Sequence, residues 1–564
     1  MQETVFHQLS TTTTLLLLAG FYGLTFLMSL AIGRRNENVD SYMVSNGALG
    51  FGIAAGSMIA TWIWAASFYA SATSGFTYGL SGPIHYGLWG ALMILFIYPF
   101  GRRFRKLAPK AHTLAELLHA RHGTSSQMIL AGSNLIGSCI SLMVNFTAAG
   151  ALVDVLTPFS FTQGVLVAGF GVLTYTLWSG FRASVMTDFA QLMAMIAAAV
   201  IIIPMVFFNA GGIELVQSGA EKFTGEQADF FSGTAILEQG LPFFIAVLAY
   251  AIGNQTIAQR LFAVREDLIK PTFVTATLGY GSVVIGLGML GLLALMTGLE
   301  PAAGDMNNII PQMASSYLPP LGIAIFFILV IGSLSSTADS DLSAMSAIVM
   351  ADIYGRNLSR GEPNPRTMLL LGRLTMVAAT VIGILLATLK LDILVMLVLV
   401  GALWGAIVFP VIVSCYWGRV TNAAFTWSVV VAVAMFMVVR FELVPLQGGF
   451  AWVMEAAAIL GAGVVTGLMA FGFTGRKVGM AVGLLTVVSV APFAFGALRE
   501  YQVLLASLVA YGVSAVVCTG MSLRNRRMFD FDQIAVRVNS YQSAGAANAP
   551  QAIHLQSDSQ GAHA

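Results

Sequence analysis

Long apolar runs alternate with short polar breaks along nearly the whole of this 564-residue chain. Crossing a hydrocarbon layer as a helix takes about 20 apolar residues. Fifteen stretches come near that length: 13–33, 49–74, 84–101, 127–156, 163–179, 184–209, 241–259, 272–298, 318–350, 367–389, 392–417, 422–440, 450–474, 478–497 and 501–522. The pattern predicts an all-α polytopic membrane protein with about 15 transmembrane helices. An odd count puts the termini on opposite sides of the membrane. The first ten residues, MQETVFHQLS, lack the basic region and small-residue cleavage site of a secretory signal, so the first run is read as a retained span.

Composition supports the same class. Hydrophobic residues make up 57% of the chain and charged ones 9%, against about 25% charged in a soluble protein. The formal net charge of +1 excludes a basic nucleic-acid binder, and the bilayer is the expected surrounding. Lys and Arg collect in cytoplasmic loops. With the N-terminus outside and the C-terminus cytoplasmic, only Lys222, Lys390, Arg440 and Arg499 fall in outer loops and Arg373 near an inner helix end; the rest of the 27 lie inside. This reading predicts an integral plasma-membrane protein. Cys139, Cys415 and Cys518 all lie in apolar runs, which predicts buried thiols without a disulfide or metal site. No P-loop, H-E-x-x-H, G-x-S-x-G or paired-Cys motif is present, which argues against an ATP-driven pump or an intramembrane hydrolase, and no enzyme activity is expected.

Between the spans, residues 210–240 form the longest outer loop, carrying Glu214, Glu221, Glu226, Asp229 and Glu238. The inner segment 102–123 reads as an interfacial helix that dips Leu114, Leu117 and Leu118 into the headgroups. His85 and His112 read as loop or interface residues rather than proton carriers. The polar, small-residue end of the chain reads as disordered.

One segment departs from the apolar pattern. SLSSTADSD, residues 333–341, sets hydroxyls and two carboxylates inside an apolar run. Polar groups at membrane depth are costly unless they face protein or a water-filled cavity. On a helix, Ser333, Ser336, Thr337, Ser340 and Asp341 share a stripe. Adjacent hydroxyls with a freed carbonyl suit a hard monovalent cation; small residues that let helices pack closely are the other reading.

The same segment, extended to GSLSSTADSDLSAMSAIVMADIY (332–354), resembles the eighth core helix of the sodium:solute symporter family. WSGFRASVMTDFAQ (178–191), YAIGNQTIAQR (250–260) and ALGFGIAAGSMIATWIWAASF (48–68) are similar to the fifth, sixth and first core helices. The resemblance runs from about 40 to 420 and implies a LeuT-type inverted repeat of 5+5 core helices. Its division would be an extra N-terminal helix in 1–40, a first repeat in 41–209, the outer loop 210–240, a second repeat in 241–420, peripheral helices in 421–523 and a disordered cytoplasmic tail in 524–564. The helices at 49–74 and 241–259 would be broken at mid-membrane.

Carried over, the family's sodium site falls on the carbonyls of Ala60, Ile63 and Ser333 and the hydroxyls of Ser336 and Thr337. Asp188 matches an acidic residue near the inner exit, with a helix-capping carboxylate as the other reading. Asp341, one turn inward of Thr337, would continue the exit path. Asp339 would point elsewhere, toward an inner-loop Arg. Tyr250 aligns with an aromatic that closes the solute site, and Trp62, Asn254 and Gln255 fall near the expected breaks and would line the pocket; ordinary core packing is the alternative for the aromatics. Sodium is the only ion implied, as coupling ion, and no cofactor is expected.

GFTYGLSGPIHYGLWGA (75–91) and RKLAPKAHTLAELLHARHGT (105–124) look like the urea-transporting branch, from which Asp-Ser-Asp after the hydroxyl pair departs. The 49–74 and 241–259 helices place no charge at the expected pocket. The resulting expectation is sodium-coupled symport of a small neutral solute, urea or a related amide, by alternating access. A proton-coupled symporter of another solute, or a transporter-like sensor or channel, stays open.

Overall fold

The structure is a computed structural model and describes residues 7–33, 38–359 and 363–538. Among these, fourteen helices are long and apolar enough to cross a membrane, and a fifteenth crossing is a pair bent by 52° at residues 63–66. The fifteen predicted runs therefore each correspond to an observed span.

After α1 (Thr11–Gly33) and the short α2 (Val39–Val44), the first five-helix set begins with a broken helix, α3 (Phe51–Trp62) and α4 (Ala65–Tyr78). It continues with α5 (Ser81–Leu95) running into α6 (Ile97–Leu107), then α8 (Thr124–Leu156) and α9 (Phe161–Asn209) after the small α7 (Leu114–His122). Gly180, at φ 54°, kinks α9 into two spans, and the Tyr42 ring stands 2.7 Å from where a Cβ would be. Only glycine takes that conformation without strain.

The second set mirrors the first. Its broken helix is α10 (Leu241–Gly253) and α11 (Gln255–Ala263), separated by Asn254 alone. Then come α12 (Ile269–Thr297), the short α13 (Ile309–Tyr317), α14 (Pro320–Ala347), α15 (Pro365–Ala387) and α16 (Ile393–Tyr416). The π-helical turns of Ile348–Leu358 extend α14. α17 (Asn422–Arg440), α18 (Gly448–Thr474), α19 (Arg476–Ala494) and α20 (Gln502–Arg524) pack at the periphery. α19 shows Leu484, Leu485, Val488 and Phe493 to the outside, the face a lipid-contacting helix should present. Glu455 of α18 is fully buried and holds Arg499 at 2.8 Å.

Two expectations are corrected on the face that carries α7. Leu114, Leu117 and Leu118 are buried at 2%, 0% and 0% exposure against the helices, so α7 covers the protein instead of floating in the headgroups. The predicted disordered tail also begins too early. Residues 525–538 fold back, with α21 (Asp532–Arg537), onto this face. Arg121 lies 4.1 Å from the Phe529 ring, Ile534 is fully buried, and Arg537 donates to the Ala120 carbonyl at 3.2 Å. Aromatic and apolar side chains at 529–534 supply the burial that a polar average over the tail concealed. The part of the tail from 539 onward lies outside the described residues. The three thiols are unpaired, with Cys415 and Cys518 buried and Cys139 partly exposed.

Candidate functional site

The break between α3 and α4 takes four consecutive carbonyls out of helical pairing. Ile63 has ψ 64° and Trp64 is extended, so the amides that would normally follow are turned away. Buried carbonyls need partners. Side-chain hydroxyls supply them: Ser336 Oγ donates to Ala60 O at 2.8 Å, Thr337 Oγ1 to Thr61 O at 2.7 Å, Ser67 Oγ to Trp62 O at 2.8 Å and Ser333 Oγ to Ile63 O at 2.5 Å. Ser336 Oγ also reaches the Ser333 carbonyl at 3.1 Å. The structure thus gathers Ala60, Ile63, Ser333, Ser336 and Thr337 in one place. Two details differ from expectation. Thr337 bonds the Thr61 carbonyl, and Ser333 contributes its hydroxyl as well as its carbonyl.

A charged layer lies next to this junction. Thr61 Oγ1 meets Ser340 Oγ at 3.1 Å; Arg260 donates from Nη2 to Ser340 Oγ at 2.7 Å and to Asp188 Oδ2 at 2.9 Å, and from Nε to Ser57 Oγ at 3.0 Å. Ser57 Oγ donates to the same Asp188 oxygen at 2.6 Å. Asp188, at 0% exposure, is thus paired with Arg260 and Ser57. Arg260 itself is 2% exposed and does not belong to a loop, as the charge count had placed it. Asp339 pairs with no inner-loop Arg among the described residues. It accepts from Tyr175 OH at 2.7 Å and Ser184 Oγ at 2.5 Å.

On its other side the junction borders a small cavity, half open to its surroundings, with about 30 Å³ of room for the centres of water-sized molecules. Thr61, Trp62 and Trp64 come from the first break, Tyr250, Asn254 and Thr256 from the second, Thr337 and Asp341 from α14, Ser141 and Val144 from α8, and Leu397 and Trp404 from α16. Trp62 and Trp404 meet the Tyr250 ring edge-on at 5.9 and 5.1 Å, and Tyr250 OH is fixed by the Leu397 carbonyl at 2.7 Å. Asn254 caps α11 by accepting from Thr256 N at 2.8 Å.

Two assignments change here. Gln255 faces away from the cavity, donating to the His112 carbonyl at 3.2 Å and accepting from Leu114 N at 3.4 Å. Asp341 sits in the cavity wall rather than beyond it, with Ser138 Oγ on its Oδ1 at 2.9 Å. Sequence reasoning assigned no role to Ser138 or Trp404 and placed Arg260 only among the inner-loop charges. A lone Arg at the end of an otherwise apolar stretch was the available signal for Arg260.

A second polar cluster lies on the α7 face. His112 holds Asp40 through Nε2 at 2.7 Å and Glu116 through Nδ1 at 3.1 Å, and Arg356 approaches Glu116 at 3.5 Å. Burial alone would lower the His112 imidazole, but Glu116 and Asp40 outweigh it and raise it to about 9. Burial works against the Glu116 carboxylate, and His112 with Arg356 brings it below its ordinary value.

The family model described as sodium:solute symporter family matches residues 42–432. The chain belongs to the sodium:solute symporter family. Its relatives within and around that family include the sodium/pantothenate symporter of Escherichia coli, 26% identical over 68% of this chain and 80% of that one. The urea-proton symporter DUR3 of Oryza sativa is 21% identical over 71% of this chain and 60% of its own length, and the probable urea active transporter 1 of Schizosaccharomyces pombe 22% over 80% and 73%. A solved structure of a Na+-coupled sialic acid symporter in a substrate-bound, outward-open state superposes with TM-score 0.66 at 19% identity, covering 85% of this chain and 98% of that one. The fold is the LeuT-type inverted repeat, and the family is named for the symport of solutes with sodium.

Proposed function

We propose that the protein carries a small neutral solute, urea or a related amide, together with sodium by alternating access. Its N-terminus lies outside and its C-terminus, with the α7 face, in the cytoplasm. The observation that carries the ion half of this reading is the convergence of Ala60, Ile63, Ser333, Ser336 and Thr337 oxygens at the break. All are neutral, which suits a cation that must also be released. Hydroxyls that donate to carbonyls can rotate and offer lone pairs to an ion instead, while the carbonyls turn to the same ion. An ion between two oxygens holds them farther apart than a shared proton does, so binding at this point changes how α3 sits against α14. Released ions would pass the Thr61–Ser340 hydroxyls and Asp188, with Arg260 in exchange.

The solute half rests on the cavity. No Lys, Arg or His is among the described residues of its wall. Pantothenate, proline and sialic acid, after which several relatives are named, each carry a carboxylate, for which those residues offer no Lys, Arg or His. Urea, named in others, carries no charge. The test is uptake of labelled urea into proteoliposomes with and without an imposed sodium gradient. Uptake that follows the sodium gradient and saturates supports the reading. Uptake driven by a proton gradient alone, as the rice relative's name implies for that protein, overturns the sodium coupling; linear, ion-independent flux overturns symport.

A further inference from the structure

Resting on that reading, we propose that Asp341 and Trp62 form the solute-recognition pair of the cavity, Asp341 Oδ2 accepting an amide N–H and Trp62 Nε1 donating to the amide oxygen. Both residues line the cavity, at 2% and 5% exposure. Asp341 Oδ1 is held by Ser138 at 2.9 Å and the Ser141 hydroxyl stands beside the same carboxylate, whereas the buried Oδ2 has no hydrogen-bond partner within 3.5 Å, and neither has the buried Trp62 indole N–H. No ion pair to Asp341 is present among the described residues. Arg260, a neighbouring cation, directs its Nε, Nη1 and Nη2 to Ser57, Thr256, Asp188 and Ser340.

An unpartnered buried polar atom is uncommon, and each one calls for an explanation. Here one acceptor and one donor, both unpartnered, share a cavity wall, which is the complement of a C=O flanked by N–H. The aromatic surfaces of Trp62, Tyr250 and Trp404 suit a flat group of that kind. A rigid carboxylate anchored by Ser138 is also selective, since a site built to accept N–H discriminates strongly against an analogue that lacks it. Tetra-N-methylurea keeps the carbonyl but has no N–H to give.

The experiment uses the full chain in proteoliposomes under a sodium gradient, with labelled urea as probe and acetamide, tetra-N-methylurea, guanidinium and proline as competitors. Expected is competition by acetamide and none by tetra-N-methylurea or proline. Asp341→Ala should raise the urea KM by about ten- to a hundredfold, the range for losing a hydrogen bond to a charged group. Trp62→Phe should raise it by about fivefold, as for a neutral bond. The near-isosteric Asp341→Asn, which should fold where Ala does not, must lie between wild type and Ala. An unchanged urea KM in either Asp341 variant overturns the recognition pair while leaving the transport reading intact, as does competition by tetra-N-methylurea equal to that by acetamide. Competition by guanidinium with none by acetamide overturns the amide assignment. Absence of amide uptake by the wild type overturns the substrate reading itself, and the pair with it.

Discussion

Arg260 on α11 and Asp188 on α9 join at 2.9 Å in the interior, both almost wholly shielded from solvent. The pair ties the half-helix after the second break to the helix behind the first break through Ser57 and Ser340. Removing one partner leaves the other charge buried and alone, at a cost of roughly 3–5 kcal/mol. Asp188→Ala and Arg260→Ala should each lower the thermal unfolding midpoint in detergent sharply, and the Asp188→Asn/Arg260→Gln double variant should recover part of the loss. A double variant that melts as low as the sum of the two single losses would show that they do not act as a pair.

At the first break, Thr337→Ala removes a hydroxyl that now meets the Thr61 carbonyl at 2.7 Å. The expected result is a sodium half-saturation raised by about five- to tenfold, the equivalent of roughly 1–1.5 kcal/mol. Thr337→Ser should remain close to wild type. Uptake measured against sodium concentration distinguishes these outcomes, and equal sodium dependence in all three proteins would remove Thr337 from the site.

His112 predicts a pH dependence of stability. Its imidazole is raised from 6.5 to about 9, so the folded protein holds that proton more tightly than the unfolded chain. The stabilisation is therefore complete below about pH 6.5 and is lost as pH rises to about 9. Asp40, Glu116, Arg356 and Asp352 also face this cluster, so the comparison is with His112→Asn. The difference in unfolding midpoint between wild type and variant should shrink steadily from pH 6.5 to pH 9; a constant difference would contradict the assignment.

On the same face Arg121 donates to the carbonyls of Ser414, Gly418 and Val420 at 3.1, 3.2 and 2.9 Å beneath the Phe529 ring. Arg121→Met keeps the bulk but strands those carbonyls, which should destabilise the protein by roughly 2–4 kcal/mol. Limited proteolysis should then cut residues 525–538 at lower protease concentration than in the wild type. Unaltered proteolysis would mean that the segment docks without Arg121.

Most of the fold was legible because membrane helices announce themselves by length and apolarity. The two breaks were expected from the resemblance; Gly253 and Asn254 do stand at the second, but Gly52 and Gly56 lie inside α3 and the first break falls beyond them, at Ile63 and Trp64. Side-chain direction was less legible. Asp339 and Asp341 are two residues apart, hence on different faces of α14, and nothing in the sequence says that Tyr175 and Ser184 wait on one side and a cavity on the other. Gln255 and Asn254 are adjacent and diverge for the same reason. Arg260 was misread because a rule that assigns Arg to cytoplasmic loops has no place for one buried by a carboxylate. The leucines of α7 fit a headgroup surface and a protein surface equally well by spacing alone.

The half-helix α11 is fastened on several sides at once. Gln255 bonds the His112 carbonyl, Gln259 the Met43 carbonyl at 2.6 Å, Arg105 the Phe262 carbonyl at 2.5 Å, and the backbone at Leu49 pairs with Ala263 and Arg265. Mechanically it is a plank nailed to its neighbours, not a door on a hinge. Any widening of the α7 face must either carry α2, the 45–49 turn, α6 and the His112 loop along as one block or strip these bonds together, which makes opening an all-or-none event.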